Sequence, residues 1–190
     1  MVFADYPHHM DAILAYHQRT TIIRFEKFRH IVEQILKVPY TPHFQETLSL
    51  KFSQYCINEV SSCPWVKGAQ EFLSFYAGRV PLYIVSINPM DDLRKILANR
   101  KMEHFFDGIY VAQAAKTSQL QEILKAQSLL PAEAVFIGDA PSDFASAQQA
   151  GIDFIGRRSG KGLLLEGVPI FDDFVGISQY IKGHVLCRNI

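Results

Sequence analysis

From Val66 to the C-terminus, short apolar runs alternate with amphipathic stretches. This alternation restricts the fold more than any other feature. Val80–Ser86 (VPLYIVS) is nearly continuous in apolar residues, the mark of a strand buried on both faces. Gly108–Ala112, Ala134–Gly138 (AVFIG) and Ile152–Ile155 read as further strands. Between and around them, Ala69–Ala77, Met90–Asn99, Thr117–Gln127, Pro141–Ala150 and Asp172–Ile181 carry helical spacing. Thr117 reads as a helix cap. Pro141 opens its helix where a missing N–H costs nothing. Strands alternating with helices at this spacing make right-handed βαβ units, hence an α/β fold on a parallel sheet. Ligands of such sheets sit beyond the carboxyl ends of the strands. The positions to inspect are therefore Ser86, the 112–116 loop, and Asp139 with Asp143.

The first third reads differently. Arg24–Lys37 places Phe25, Phe28, Ile31, Val32, Ile35 and Leu36 at three- and four-residue intervals, an amphipathic helix ended by the prolines of VPYTP. His43–Val60 repeats the pattern through Phe44, Leu48, Phe52, Cys56, Ile57 and Val60. The chain thus divides into a helical half, to about Pro64, and an alternating half from Val66.

Composition narrows the partners. With 19 basic and 19 acidic side chains among 190 residues, no charge excess favours a nucleic-acid backbone or a membrane surface. At 48% hydrophobic the chain is no disordered segment. No uncharged apolar run reaches the ~18–20 residues of a membrane span, and no secretory signal is visible. Cys56, Cys63 and Cys187 fit neither a CxxC site nor a disulfide framework. A cytoplasmic setting is expected.

The strand ends carry three kinds of chemistry. Ser86, followed by Ile87 and Asn88, offers a hydroxyl and backbone N–H groups to a phosphate or carboxylate oxygen. Taken alone, Ser86 would be read as the cap of the next turn. Lys116 stands just before a helix, where a cation is electrostatically unfavourable unless an anion is near. The most specific stretch is VFIGDAPSDFASAQQAG. A strand ends in Gly138–Asp139, and Asp143 follows at the start of a helix. Paired carboxylates at a strand end are a usual means of holding Mg²⁺ through oxygen ligands. Helix capping accounts for Asp143 but poorly for Asp139.

Together these residues resemble the haloacid dehalogenase superfamily of phosphohydrolases. Ser86 matches its second motif and Lys116 its third. Gly138, Asp139, Asp143, Ala147, Ala150 and Gly151 match its fourth. CPWVKGAQEFL resembles the return from the family's helical cap into its core, and YHQRTTIIRFEKF the cap of a phosphoglycolate-phosphatase-like subgroup. The resemblance implies a residual N-terminal segment, 1–7, an N-terminal helical cap, 8–63, and a core with a Rossmann-like parallel sheet, 64–190. It also implies Mg²⁺-dependent hydrolysis of a small phosphorylated metabolite through an aspartyl-phosphate. Ser86 with Ile87, Asn88 and Lys116 would hold the phosphate, Lys116 would neutralise charge, and Asp139 and Asp143 would serve the metal. Arg24, Lys27 and Arg29 are candidate cap contacts, although such charges usually face solvent. A receiver or flavodoxin-like domain shares the alternation but not the helical first third.

One part of the family pattern has no counterpart. The first motif, an apolar strand followed by DxDG[TV] with the nucleophilic Asp, is absent from the sequence. The opening MVFADYPHHM has too short an apolar run and a single acid, Asp5. In VPIFDDFVG, Asp172 and Asp173 are adjacent and cannot face one site. GRRSGKG has the wrong spacing for a phosphate loop, and Arg157, Arg158 and Lys161 read as a solvated basic loop. The family's first strand lies between the Ser86 and Asp139 strands. Its loss would open a gap of about twice the ~4.8 Å strand spacing. The expectation is a sequence that begins after the motif, at a wrong methionine or by N-terminal truncation. The alternatives are a non-catalytic protein on a re-closed sheet, or a gap filled by a segment of another chain.

Overall fold

The structure, a computed structural model, describes residues 2–20, 24–112, 115–160 and 165–185. Lys161 and Cys187 lie outside the described residues. Two compact units are present, Met1–Ser62 and Cys63–Ile190.

The N-terminal unit is helical. It contains α1 (Met10–Arg19), α2 (Arg24–His30) and α3 (Pro42–Ser62). The helix expected over 24–37 changes character midway: Ile31–Ile35 winds into a wider π turn, and Lys37 ends it with φ of 57°. The apolar stripe is buried as its spacing requires, with Phe28, Ile31, Val32 and Leu36 packed against Ile13 and Leu48. Phe3 joins the same cluster, so the N-terminal segment is part of this unit's core.

The second unit holds α4 (Ala69–Tyr76), β1 (Tyr83–Ser86), α5 (Met90–Asn99), β2 (Gly108–Val111) and α6 (Thr117–Gln127). It continues with β3 (Val135–Gly138), α7 (Pro141–Ala150), β4 (Asp153–Arg157), β5 (Ile170–Phe171) and α8 (Phe174–Tyr180). All described strand pairs are parallel. Among the described residues the strands form two sheets, β1–β2 and β3–β4–β5. No ladder joins β1 to β3. Their side chains nonetheless share cores: Val85 packs with Phe136 against Leu120 and Ile152, and Leu82 with Val135 and Ile137 against Ile155 and Ile177.

This split corrects the expectation for Val80–Ser86. The strand is shorter, Tyr83–Ser86, and all four residues are half-buried rather than enclosed. A strand paired on one side only keeps part of its surface open. By contrast β4, flanked by β3 and β5, buries Phe154, Ile155 and Gly156. The short β5 went unread in the sequence, because two residues carry no period.

The α7 sequence explains its own packing. Ala147 and Ala150 are buried, and such small side chains let a helix sit close to its neighbours. Gly151 ends the helix with φ of 74°, a left-handed cap that glycine adopts without steric cost. Thr117 is not the cap of α6. Lys116 occupies that position, and the Thr117 hydroxyl instead meets the Gln149 side-chain oxygen at 2.9 Å.

Candidate functional site

The site is assembled at the carboxyl end of β3. Gly138 is the last residue of that strand, and a Cβ there would lie 2.6 Å from Asp143 Cβ. Only glycine lets the first turn of α7 fold back this closely. Asp143 is then 4% exposed, the one buried acid among the described residues. Its Oδ2 accepts from the backbone N–H groups of Asp139 at 3.2 Å and Ala140 at 3.3 Å. Its Oδ1 lies 2.8 Å from Lys116 Nζ. Capping and ion pairing thus occupy both oxygens.

Lys116 is held in three ways. Its ammonium pairs with Asp143 and lies 5.6 Å from the centre of the Phe136 ring. Its backbone N–H donates to Ser146 Oγ at 3.2 Å, and that hydroxyl donates to the Ser142 carbonyl. The cation before a helix, unfavourable by itself, is therefore offset by a buried carboxylate. Ser146, 3% exposed, escaped the sequence reading. Its signal was present: it lies three residues after Asp143, on the same face of α7.

Asp139 is exposed, and none of the ion pairs among the described residues uses it. Ser86 lies in the other sheet, opposite Val111, and its carbonyl accepts from Ala112 N–H at 2.8 Å where the Lys116 loop begins. Its Oγ accepts from Asn88 N–H at 3.1 Å, the turn-capping role that the serine alone suggested. Ile87 and Asn88 are exposed. The structure thus brings Lys116, Asp143 and the Asp139 backbone into one contact network. No described contact joins Ser86 to them.

The donor set bears on Mg²⁺. No group of three or more His, Cys, Asp or Glu side chains suited to a metal occurs among the described residues. Mg²⁺ commonly keeps several waters and takes one or two carboxylates plus a substrate phosphate. Asp139 fits that pattern as a single carboxylate ligand. Asp143, with both oxygens engaged, fits as the residue that orients the loop.

The decoys resolve into structural roles. Asp173 Oδ1 caps α8, accepting from Val175 and Gly176 N–H, each at 3.0 Å. Asp172 pairs with Arg158 at 2.6 Å. Arg157, read as part of a solvated loop, is instead the half-buried last residue of β4. Among candidate cap residues, Arg29 is exposed and its guanidinium lies 5.6 Å from the Tyr40 ring, while Lys27 donates to the Thr20 carbonyl.

Comparison with known proteins bears on the family and the fold. No curated protein matches the chain. A predicted phosphoglycolate phosphatase of Haemophilus somnus superposes with a TM-score of 0.65 at 19% identity, over 81% of this chain and 74% of that one. A HAD hydrolase of Bacillus subtilis bound to magnesium gives 0.67 at 16% identity, covering 96% and 82%. A HAD family hydrolase of Deinococcus radiodurans with bound phosphate and sodium gives 0.62 at 16%, covering 94% and 88%. The family model of the haloacid dehalogenase-like hydrolases matches residues 26–157, more than half the chain, and the protein belongs to that family.

Proposed function

We propose that this chain carries the phosphate- and metal-handling part of a phosphatase acting on a small phosphorylated metabolite. The observation that carries the reading is the Asp143–Lys116 pair beside the exposed Asp139 at the end of β3. A lysine held at a fixed place by a buried acid is a preorganised cation, and such a group stabilises developing phosphoryl charge without reorganising. Lys116 faces the phosphate, the Ser86 hydroxyl donates to one of its oxygens, and Asp139 supplies a carboxylate to Mg²⁺. When bound, Mg²⁺ offsets the combined charge of carboxylate and phosphate. Asp143 holds Lys116 and the Asp139 backbone in register.

The attacking carboxylate has no match in the sequence. We propose that one further strand bearing it lies between β1 and β3, which share cores but, among the described residues, no ladder. The second reading is a non-catalytic phosphate-binding module. It is favoured by the absence of DxDG from the sequence.

A phosphatase assay on this chain with p-nitrophenyl phosphate and Mg²⁺ separates the two. Turnover abolished by Asp139→Asn supports the enzyme and removes the binding module. Phosphate binding without turnover, with turnover restored by an added strand carrying DxDG, supports the enzyme with that strand supplied. Binding with no turnover even then supports the module.

A further inference from the structure

Arg157 stands at the same sheet edge as Asp139. The last register pair of β3 and β4 joins Gly138 to Gly156, so the next residue along each strand is Asp139 in one and Arg157 in the other. Adjacent strands run about 4.8 Å apart. Two residues earlier, Ile137 and Ile155 pack into one cluster with Phe72 and Ile177 of α4 and α8. The alternation of a strand directs Arg157 toward that same face, and Asp139, just past the end of β3, stands at the edge beside it. Lys116 approaches from the other face, over Phe136, whose neighbours are Ala147 and Phe154.

The two cations differ in how they are satisfied. Lys116 is matched by Asp143 at 2.8 Å. Arg157 is half-buried, and among the described residues its buried Nε has no hydrogen-bond partner and it forms no ion pair. A buried donor on a charged group is costly to leave unmet. Asp139 is the nearest acid along the ladder, yet it does not pair with Arg157. A guanidinium with a spare donor at a ligand-binding edge matches the planar geometry of an oxyanion.

We propose that Arg157 binds an oxyanion of the substrate beside Asp139, on the face away from Lys116. The inference rests on the phosphate site proposed above. The oxyanion is either an oxygen of the phosphoryl group or a second anionic group of the same molecule.

The test is calorimetric titration of the whole chain, in Mg²⁺, with methylphosphonate and with phosphonoacetate, which adds a carboxylate. Arg157→Gln is expected to weaken binding at least tenfold. Loss toward both ligands assigns the phosphoryl oxygen, and loss toward phosphonoacetate alone assigns the second group. Arg157→Lys, which keeps the charge and loses the fork, is expected to fall between. Binding within twofold of the original in Arg157→Gln would overturn the proposal, as would a loss that tracks a lowered melting temperature and is unrelieved in Arg157→Lys. Binding abolished by Lys116→Ala but untouched by Arg157→Gln removes only the role of Arg157. Failure of the unmodified chain to bind either ligand removes the phosphate site and this inference together.

Discussion

Lys116 Nζ stands 2.8 Å from Asp143 Oδ1, with the acid 6% and the lysine 21% exposed at the side chain. The pair ties the loop after β2 to the first turn of α7. Removing one partner of a buried pair costs about 3–5 kcal/mol, because the other is left charged and desolvated. The partial exposure of Lys116 lowers this to roughly 2–3 kcal/mol. Asp143→Ala is expected to lose that much, plus its two backbone caps, in urea denaturation. Lys116→Ala is expected to lose less. In the double variant the losses are expected to fall short of their sum, and strict additivity would show that the pair contributes no coupling.

Gly138 has a role that only geometry reveals. An added Cβ would meet Asp143 Cβ at 2.6 Å and Oδ2 at 2.8 Å. Gly138→Ala must therefore displace the acid that holds Lys116. Overpacking of this kind costs about 1–3 kcal/mol. The expected outcome is a lowered melting temperature together with weakened methylphosphonate binding in Mg²⁺. A variant that binds as before would show that the Asp143 position is not needed for the site.

The legible part of this protein was the part written in local patterns. The helices at 90–99, 117–127 and 141–150 appear with the expected bounds, because their apolar spacing, proline start and glycine stop all act within a few residues. What stayed hidden was non-local. Ser146 supports Lys116 across thirty positions of chain. Spacing set Asp173 aside as a catalytic acid, but its role as the cap of α8 came only from the fold. Arg157 gained a place only from the register of β4 on β3. The two-sheet split was legible through the absent DxDG, whereas the half-exposure of β1 that goes with it was not, because an apolar run does not state how many neighbours it has.

Alkaline pH tests the packing of the second unit. Burial raises the Tyr76 hydroxyl above its usual 10.0, an effect that the polar Ser178 side chain partly opposes. Burial also raises Tyr83, helped by the negative charge of Asp107 and by Tyr110. A raised tyrosine keeps its proton in the folded chain while the unfolded chain loses it. The folded state then binds more protons than the unfolded state, so stability falls as pH rises from about 10 toward the folded value. Denaturation across that range is expected to show a steepening loss. Tyr76→Phe is expected to lower stability at neutral pH only slightly and to make the alkaline loss shallower. An unchanged slope would mean that Tyr76 ionises equally in both states.

The slot between β1 and β3 makes the most consequential prediction. Strand edges without partners leave backbone N–H groups open to solvent. In hydrogen exchange, the edge of β1 away from β2 and the edge of β3 away from β4 are expected to exchange much faster than β4, which is paired on both sides. Extending the N-terminus by an apolar strand of about five to six residues ending in DxDG should slow exchange in β1 and β3 together, raise the melting temperature and bring turnover. The three readouts are linked by one physical event, since a strand laid in the slot completes two ladders and presents its carboxylates beside Lys116 and Asp139. An extension ending in NxNG should give the same protection without turnover, which separates the strand's structural part from its chemical one. Protection of β1 and β3 already equal to that of β4 in the unextended chain would mean that the sheet has closed on itself. The reading as a non-catalytic module would then stand.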